Sequence, residues 1–237
     1  QIFQLKDGAA PEKLSLIPNG IDIARYSAVR PETAKRPPTI ALIGRVVPIK
    51  DVKTYIRAIA ALRSALPDIR AYILGPFDED PAYYRECQRL VDHLDLAESV
   101  LFTGKVSLTE YLAKIDLMVL TSISEAQPLV ILEAGAAGVP SVTTDVGACR
   151  EMIYGRSDEP EQFGAGGAVV PLADPMATAA AILGLLLTPG RLESASNAIR
   201  GRVTRYYDKA TLDASYAALY GKLFADSVLV ASKTAVS

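Results

Sequence analysis

Short segments that are apolar throughout recur along the chain, each followed by a longer stretch with helical spacing. This rhythm restricts the fold more than any other feature. TIALIG, RAYILG, SVLFTG, IDLMVLTS, SVTT and AVVPL do not alternate apolar with polar residues. Strands of that kind are covered on both faces, as in a parallel sheet wrapped by helices. KLSLIP, near residue 14, reads as a further strand. Helical patterns occupy 51–66, 80–94, 107–114, 128–138 and 174–187. Ser107 and Glu110 have capping-box spacing, and Asp80-Pro81 and Asp174-Pro175 each set a capping acid before a proline at the first helical position. The strand-helix-strand order predicts a doubly wound α/β domain with a mostly parallel, Rossmann-like sheet.

The 237 residues, half of them hydrophobic, are enough to bury a sizeable core. A formal net charge of -2 gives no broad electrostatic attraction for nucleic acid or anionic lipid. The longest apolar run, MATAAAILGLLL, ends in Thr-Pro-Gly and falls short of the roughly 18 residues that span a bilayer. It reads as a buried helix. No signal peptide is recognised, and QIFQLKDGAAPEKL reads as the continuation of a longer chain. Cys87 and Cys149 have neither metal-site spacing nor the density of a disulfide scaffold, which points to a reducing compartment. The one histidine, His93, reads as a surface helix residue.

Ligands of such sheets bind beyond the carboxyl ends of the strands. Those exits are Gly44-Arg45, Gly75-Pro76, Gly104-Lys105, 121–127 and 144–147. In LIGRVVPIKD, Arg45 and Lys50 flank a helix start. They suit a diphosphate, with arginine as a fork and lysine as a point charge, or they are solvated charges, one of them paired with Asp51. No Gly-x-Gly-x-x-Gly follows a strand, which argues against a nicotinamide enzyme.

SISEAQPLVILEAGAAGVP places Glu125 just before a helix expected to begin at Pro128, and Glu133 about one and a half turns inside it. The free N–H groups of Leu129 and Val130 favour an anion there. Glu133 sits among apolar neighbours, where an unpaired charge is costly. It either accepts hydrogen bonds from a vicinal diol such as a ribose or turns to solvent. Cys149 is either activated by a nearby helix start or an inert small side chain. Asn19-Gly20 reads as a tight turn.

Taken in order, IPNGID, GRVVPIKD, YILGP, VLFTGKVS, EAQPLVILE, EAGAAGVPSVTTDVG and CREMI resemble the C-terminal, donor-binding half of retaining glycosyltransferases of family 4. These have the GT-B architecture of two facing Rossmann-like domains. SISEAQPLVILEA followed by TTDVGACREMI is most similar to the Pel exopolysaccharide branch. The resemblance implies that Arg45 and Lys50 hold the donor diphosphate and that Glu125 faces the transferred sugar. Glu133 would bind the ribose, and backbone at Gln127, Pro128, Leu129 and Val130 would complete the phosphate and sugar site. Gly104, Lys105 and Val106 would line the base, with Gly75 bordering the same crevice. Ala126 departs from the family, which often has glycine there, and so bears on the identity of the sugar.

The resemblance further implies a donor substrate, most simply a UDP-sugar, a glycan acceptor, and no cofactor or metal. Residues 1–13 are then an inter-domain linker, 14–205 the donor-nucleotide domain, 206–226 a C-terminal helix and 227–237 a loose tail. Leu212, Tyr216, Leu219, Tyr220 and Leu223 share one face of that helix, which packs either on this domain or on a missing one. The expected partners are an N-terminal acceptor domain of the same enzyme and a membrane polysaccharide-synthesis complex. The expected location is cytoplasmic, peripheral to the inner face of the membrane. On this view the chain alone binds donor but transfers little sugar. Two alternatives are a non-catalytic nucleotide-binding or assembly module and a non-hydrolysing sugar-nucleotide epimerase, which would want more acid and base side chains.

Overall fold

The computed structural model describes residues 7–11, 14–30, 32 and 36–234. Six strands pair in parallel: β1 (Thr39–Ile43), β2 (Arg70–Leu74), β3 (Val100–Gly104), β4 (Leu117–Leu120), β5 (Ser141–Thr144) and β6 (Gly167–Val170). Their order is β3-β2-β1-β4-β5-β6, so the direction of winding reverses between β1 and β4. The apolar runs explain the architecture residue by residue. In β1, Ile40 and Leu42 enter one core with Val119 and Val142, while Ala41 and Ile43 enter a second with Met118 and Leu120. Such strands gain from burial only if helices cover both faces.

Helices α1 (Ile23–Ser27), α4 (Leu108–Leu112), α5 (Leu129–Ala136), α6 (Cys149–Tyr154) and α8 (Arg191–Tyr206) cover the second face. The first is covered by α2 (Val52–Leu62), α3 (Pro81–His93) and α7 (Pro175–Leu186). A final helix, α9, spans Lys209–Thr234. The expected caps form at α3, where Asp80 accepts from Tyr83 N–H at 3.0 Å, and at α7, where Asp174 accepts from Ala177 N–H at 2.8 Å. Each satisfies an orphan donor and stabilises its helix by about 1 kcal/mol. His93 ends α3 and is exposed, as expected.

Several expectations need correction. KLSLIP is not a strand among the described residues: it joins neither edge of the sheet, and Leu16 remains 63% exposed. Its alternation of apolar and polar residues does not suit a sheet that buries both faces. The capping box at Ser107 does not close; Ser107 Oγ instead lies 3.2 Å from Thr109 Oγ1, and α4 is barely more than a turn long. Pro128 is the N-cap of α5, not its first residue. α8 was not anticipated, because its buried stripe of Ala195, Ala198, Ile199 and Val203 also contains Arg202. The last helix begins at Lys209 and continues through the stretch expected as a tail as far as Thr234. Residues 235–237 of that tail, and 1–6, 12 and 13 of the expected linker, lie outside the described residues. Among the described residues no single helix is long and apolar enough to cross a membrane.

Candidate functional site at the carboxyl ends of the strands

Three loops meet beyond β1, β4 and β5, and hydrogen bonds between them determine what the site can present. The hydroxyl of Thr121, directly after β4, donates to the carbonyls of Lys50 (3.0 Å) and Asp51 (2.9 Å). Ile123 N–H donates to Ile49 O at 2.9 Å, and Thr144 Oγ1 donates to Ser122 O at 2.6 Å. Ala148 N–H reaches Ala126 O at 2.9 Å. Asp51, in the left-handed region with φ 44°, ends the turn at Pro48–Lys50 and caps α2 through Thr54 N–H. The 44–51 and 121–128 loops are therefore joined at the point where the sheet reverses, which is where ligands of doubly wound sheets bind.

That junction brings Lys50 Nζ to 2.5 Å from Glu125 Oε1, and Ser122 Oγ donates to the same oxygen at 2.7 Å. Both ionic side chains are largely withdrawn from water, at 17% and 14% exposure. Arg45 behaves differently. Its guanidinium makes two bonds to Glu79, at 2.6 and 2.8 Å, in an exposed pair beside the β2 exit. Neither Arg45 nor Lys50 pairs with Asp51, which serves as a cap instead.

α5 begins with no side-chain cap, so the N–H groups of Leu129 and Val130 are available at its start. Four residues after Leu129, Glu133 is half-buried and turned toward α1, where Tyr26 Oη donates to Oε1 at 2.7 Å. This excludes the solvent-facing alternative for Glu133. Tyr26 is a site neighbour the sequence reading missed. Its signal was a single tyrosine four residues beyond the Ile-Pro-Asn-Gly-Ile-Asp motif. The side chain of Gln127 is also committed, accepting from Asn19 N–H at 2.7 Å and donating to Asn19 O at 3.2 Å.

On the other side of the crevice, Ile43, Leu74, Gly75, Lys105, Val106 and Leu108 line a small hollow. Gly75 is required there: a Cβ on it would lie 2.1 Å from Gly44 O. Gly104 O accepts from Gly75 N–H at 3.0 Å, which brings the β2 and β3 exits together. Of the residues expected to line the base, Lys105 and Val106 border this recess, while Gly104 does not line it.

Cys149 lies buried at the start of α6, and burial, with the nearby Glu125 charge as a lesser cause, pushes its thiol up to about 12. The inert reading holds. Asp78 and Asp80 have Asp-x-Asp spacing, which the metal-free expectation overlooked. Asp80 is spent on capping α3, and among the described residues no group of three or more His, Cys, Asp or Glu side chains is placed to hold a metal.

A parallel sheet wound in this order, with its candidate groups at the reversal, is a Rossmann-like α/β domain. Residues 37–188 match the family described as glycosyl transferases group 1, and the chain belongs to it. D-inositol 3-phosphate glycosyltransferase 2 of Catenulispora acidiphila is 31% identical over 201 residues, 78% of this chain and 45% of that protein. The chain therefore spans less than half of that relative. The Anabaena protein HepE, solved in complex with UDP-glucose, aligns with a TM-score of 0.78 and 21% identity over 92% of this chain and 60% of its own. The C-terminal domain of a glycosyl transferase group 1 family protein from Francisella tularensis aligns with a TM-score of 0.67 and 21% identity. That match covers 80% of this chain and 99% of the domain.

Proposed function

We propose that the chain is the donor-nucleotide half of a retaining, metal-independent glycosyltransferase. It would use a UDP-linked hexose or N-acetylhexosamine and a glycan acceptor, in exopolysaccharide synthesis of the Pel type. What supports this is that the joined β1 and β4 exits hold Lys50 against Glu125 just before the uncapped start of α5, with Glu133 four residues into that helix and bonded to Tyr26. The UDP-glucose bound by HepE supports a nucleotide-sugar donor.

On this reading the diphosphate lies against the N–H groups of Leu129 and Val130, with Lys50 beside it. As the glycosidic bond breaks, the departing phosphate gains negative charge, and these groups stabilise it; removing one such donor typically costs about a hundred- to thousand-fold in rate. Arg45 joins them by leaving Glu79. Glu125 orients the transferred sugar from beneath Lys50, and Glu133 accepts from the ribose hydroxyls. The base occupies the hollow at Gly75, Lys105 and Val106, next to Gly104. Retention follows if the departing phosphate oxygen takes the acceptor's proton on the face from which it leaves. The acceptor would be presented by an N-terminal domain, at the cytoplasmic face of a membrane assembly.

Calorimetry with UDP, UDP-glucose and UDP-N-acetylglucosamine, with and without a chelator, tests this reading. Binding that survives chelation and weakens about tenfold or more in Lys50→Ala and in Glu133→Ala is the expected result. Absence of nucleotide binding would favour an assembly module and end the proposal.

A further inference from the structure

Two contacts tie the stretch from residue 19 to residue 26 onto α5 and the loop before it: Gln127, in the loop, grips the backbone of Asn19, and Tyr26 holds Glu133. The second partners one oxygen of a carboxylate set among apolar neighbours and leaves the other without a side-chain donor among the described residues. Glu133 is half-buried, and Tyr26 is the only side chain among the described residues that hydrogen-bonds it. Tyr26 itself is 6% exposed, on a short helix capped by Asp22. Burial, then the hydrogen bond to Glu133, raises its hydroxyl to about 12, so it remains a donor throughout the neutral range.

A carboxylate offers two oxygens and about four lone-pair directions. With Oε1 held from α1, the carboxylate's freedom is reduced, and Oε2, which accepts from no side chain among the described residues, is left for a ligand. A glutamate without such a hold loses rotamer freedom each time a ligand orders it, which weakens binding. Tyr26 therefore supplies preorganisation to a group four residues into the helix whose start is uncapped.

We propose that Tyr26 is the positioning residue of the nucleotide site, setting the preference for a ribonucleotide over its 2′-deoxy counterpart by aiming Glu133 at the ribose diol. This rests on the reading of Glu133 as the ribose ligand. The test is calorimetry of UDP and 2′-deoxy-UDP on the unaltered chain, Tyr26→Phe, Glu133→Ala and the double variant, with GDP and 2′-deoxy-GDP used if UDP does not bind. The unaltered chain should prefer the ribonucleotide about tenfold or more, the size of a hydrogen bond to a charged group. Tyr26→Phe, which keeps the buried ring, should reduce that preference to about threefold or less by weakening the ribonucleotide alone. In the Glu133→Ala background it should add nothing, since its effect runs through that carboxylate. An unchanged preference in Tyr26→Phe, with the preference lost in Glu133→Ala, overturns the role of Tyr26 and leaves the ribose site standing. A preference that persists in Glu133→Ala overturns the ribose site itself, and this inference with it.

Discussion

Glu125 holds Lys50 across the mouth of the crevice, with Nζ 2.5 Å from Oε1 and Ser122 donating to the same oxygen. The two residues are 75 positions apart, and the pair exists because Thr121 and Ile123 fasten the β4 exit to the turn that carries Lys50. In the free chain, then, the candidate diphosphate cation is already engaged by an acid.

A nucleotide diphosphate must compete with that acid. Glu125→Gln retains the side chain's volume and removes its charge, so UDP should bind about two- to fivefold more tightly, while Lys50→Ala should bind about tenfold more weakly. Isothermal titration of both variants checks this. A Glu125→Gln variant that lost UDP affinity tenfold would mean that Glu125 positions Lys50 instead of opposing the ligand.

Gly147 determines where Glu125 can sit. A Cβ at that position would lie 2.3 Å from Glu125 O and 2.4 Å from Ala126 O, and its φ of 52° is itself unfavourable for a side chain. Gly147→Ala should cost about 2 kcal/mol or more in urea unfolding and weaken UDP as well, because the shift falls on the loop before α5. A variant with unaltered stability and affinity would show that the loop yields freely.

Arg202 and Glu159 form an ion pair with both side chains at 0% exposure, and Arg202 also donates to the carbonyls of Ile153 and Gly164. Arg202→Ala strands Glu159, whose Oε1 already lacks a partner, and should destabilise the fold by about 3–5 kcal/mol. Arg45→Ala breaks a pair with both partners 51% exposed and should change stability by less than about 1 kcal/mol. Urea midpoints for the two variants, measured side by side, distinguish a buried staple from a surface pair.

Neither cysteine should behave as a nucleophile. Burial raises Cys87 to about 11 and Cys149 to about 12. Native protein at pH 8 should therefore react with a thiol reagent only on opening, whereas denatured protein should react at both positions within minutes. The same shifts give a pH dependence. Because the folded thiols hold their protons more tightly, their contribution to stability is complete below about pH 8.5, the unfolded value, and fades as pH rises from there toward 11–12. Stability that increased between pH 8 and 10 would contradict this.

Much of the scaffold was legible. The runs that became β1 to β6 announced a sheet buried on both faces, and Asp80 and Asp174 announced their helices, because strand burial and N-capping depend on residues close in the chain. α8 escaped because Arg202 interrupts its apolar stripe, and a buried arginine makes sense only once Glu159 and two carbonyls surround it. The Ser107 box failed for a related reason: spacing permits a cap, but whether it closes depends on how the chain enters the helix.

The site divides in the same way. Sequence alone determined the class of fold, the strand exits where a ligand would lie, and the residue types gathered there, since these depend on apolar patterning and on caps within a few residues. Only the tertiary structure decided that Lys50 meets Glu125, that Arg45 turns to Glu79, and that Tyr26 reaches Glu133 across 107 positions. Those pairings depend on how three loops and a short helix dock at one end of the sheet. A charge selects its partner by distance in space and by shielding from water, and neither quantity can be read from separation along the chain.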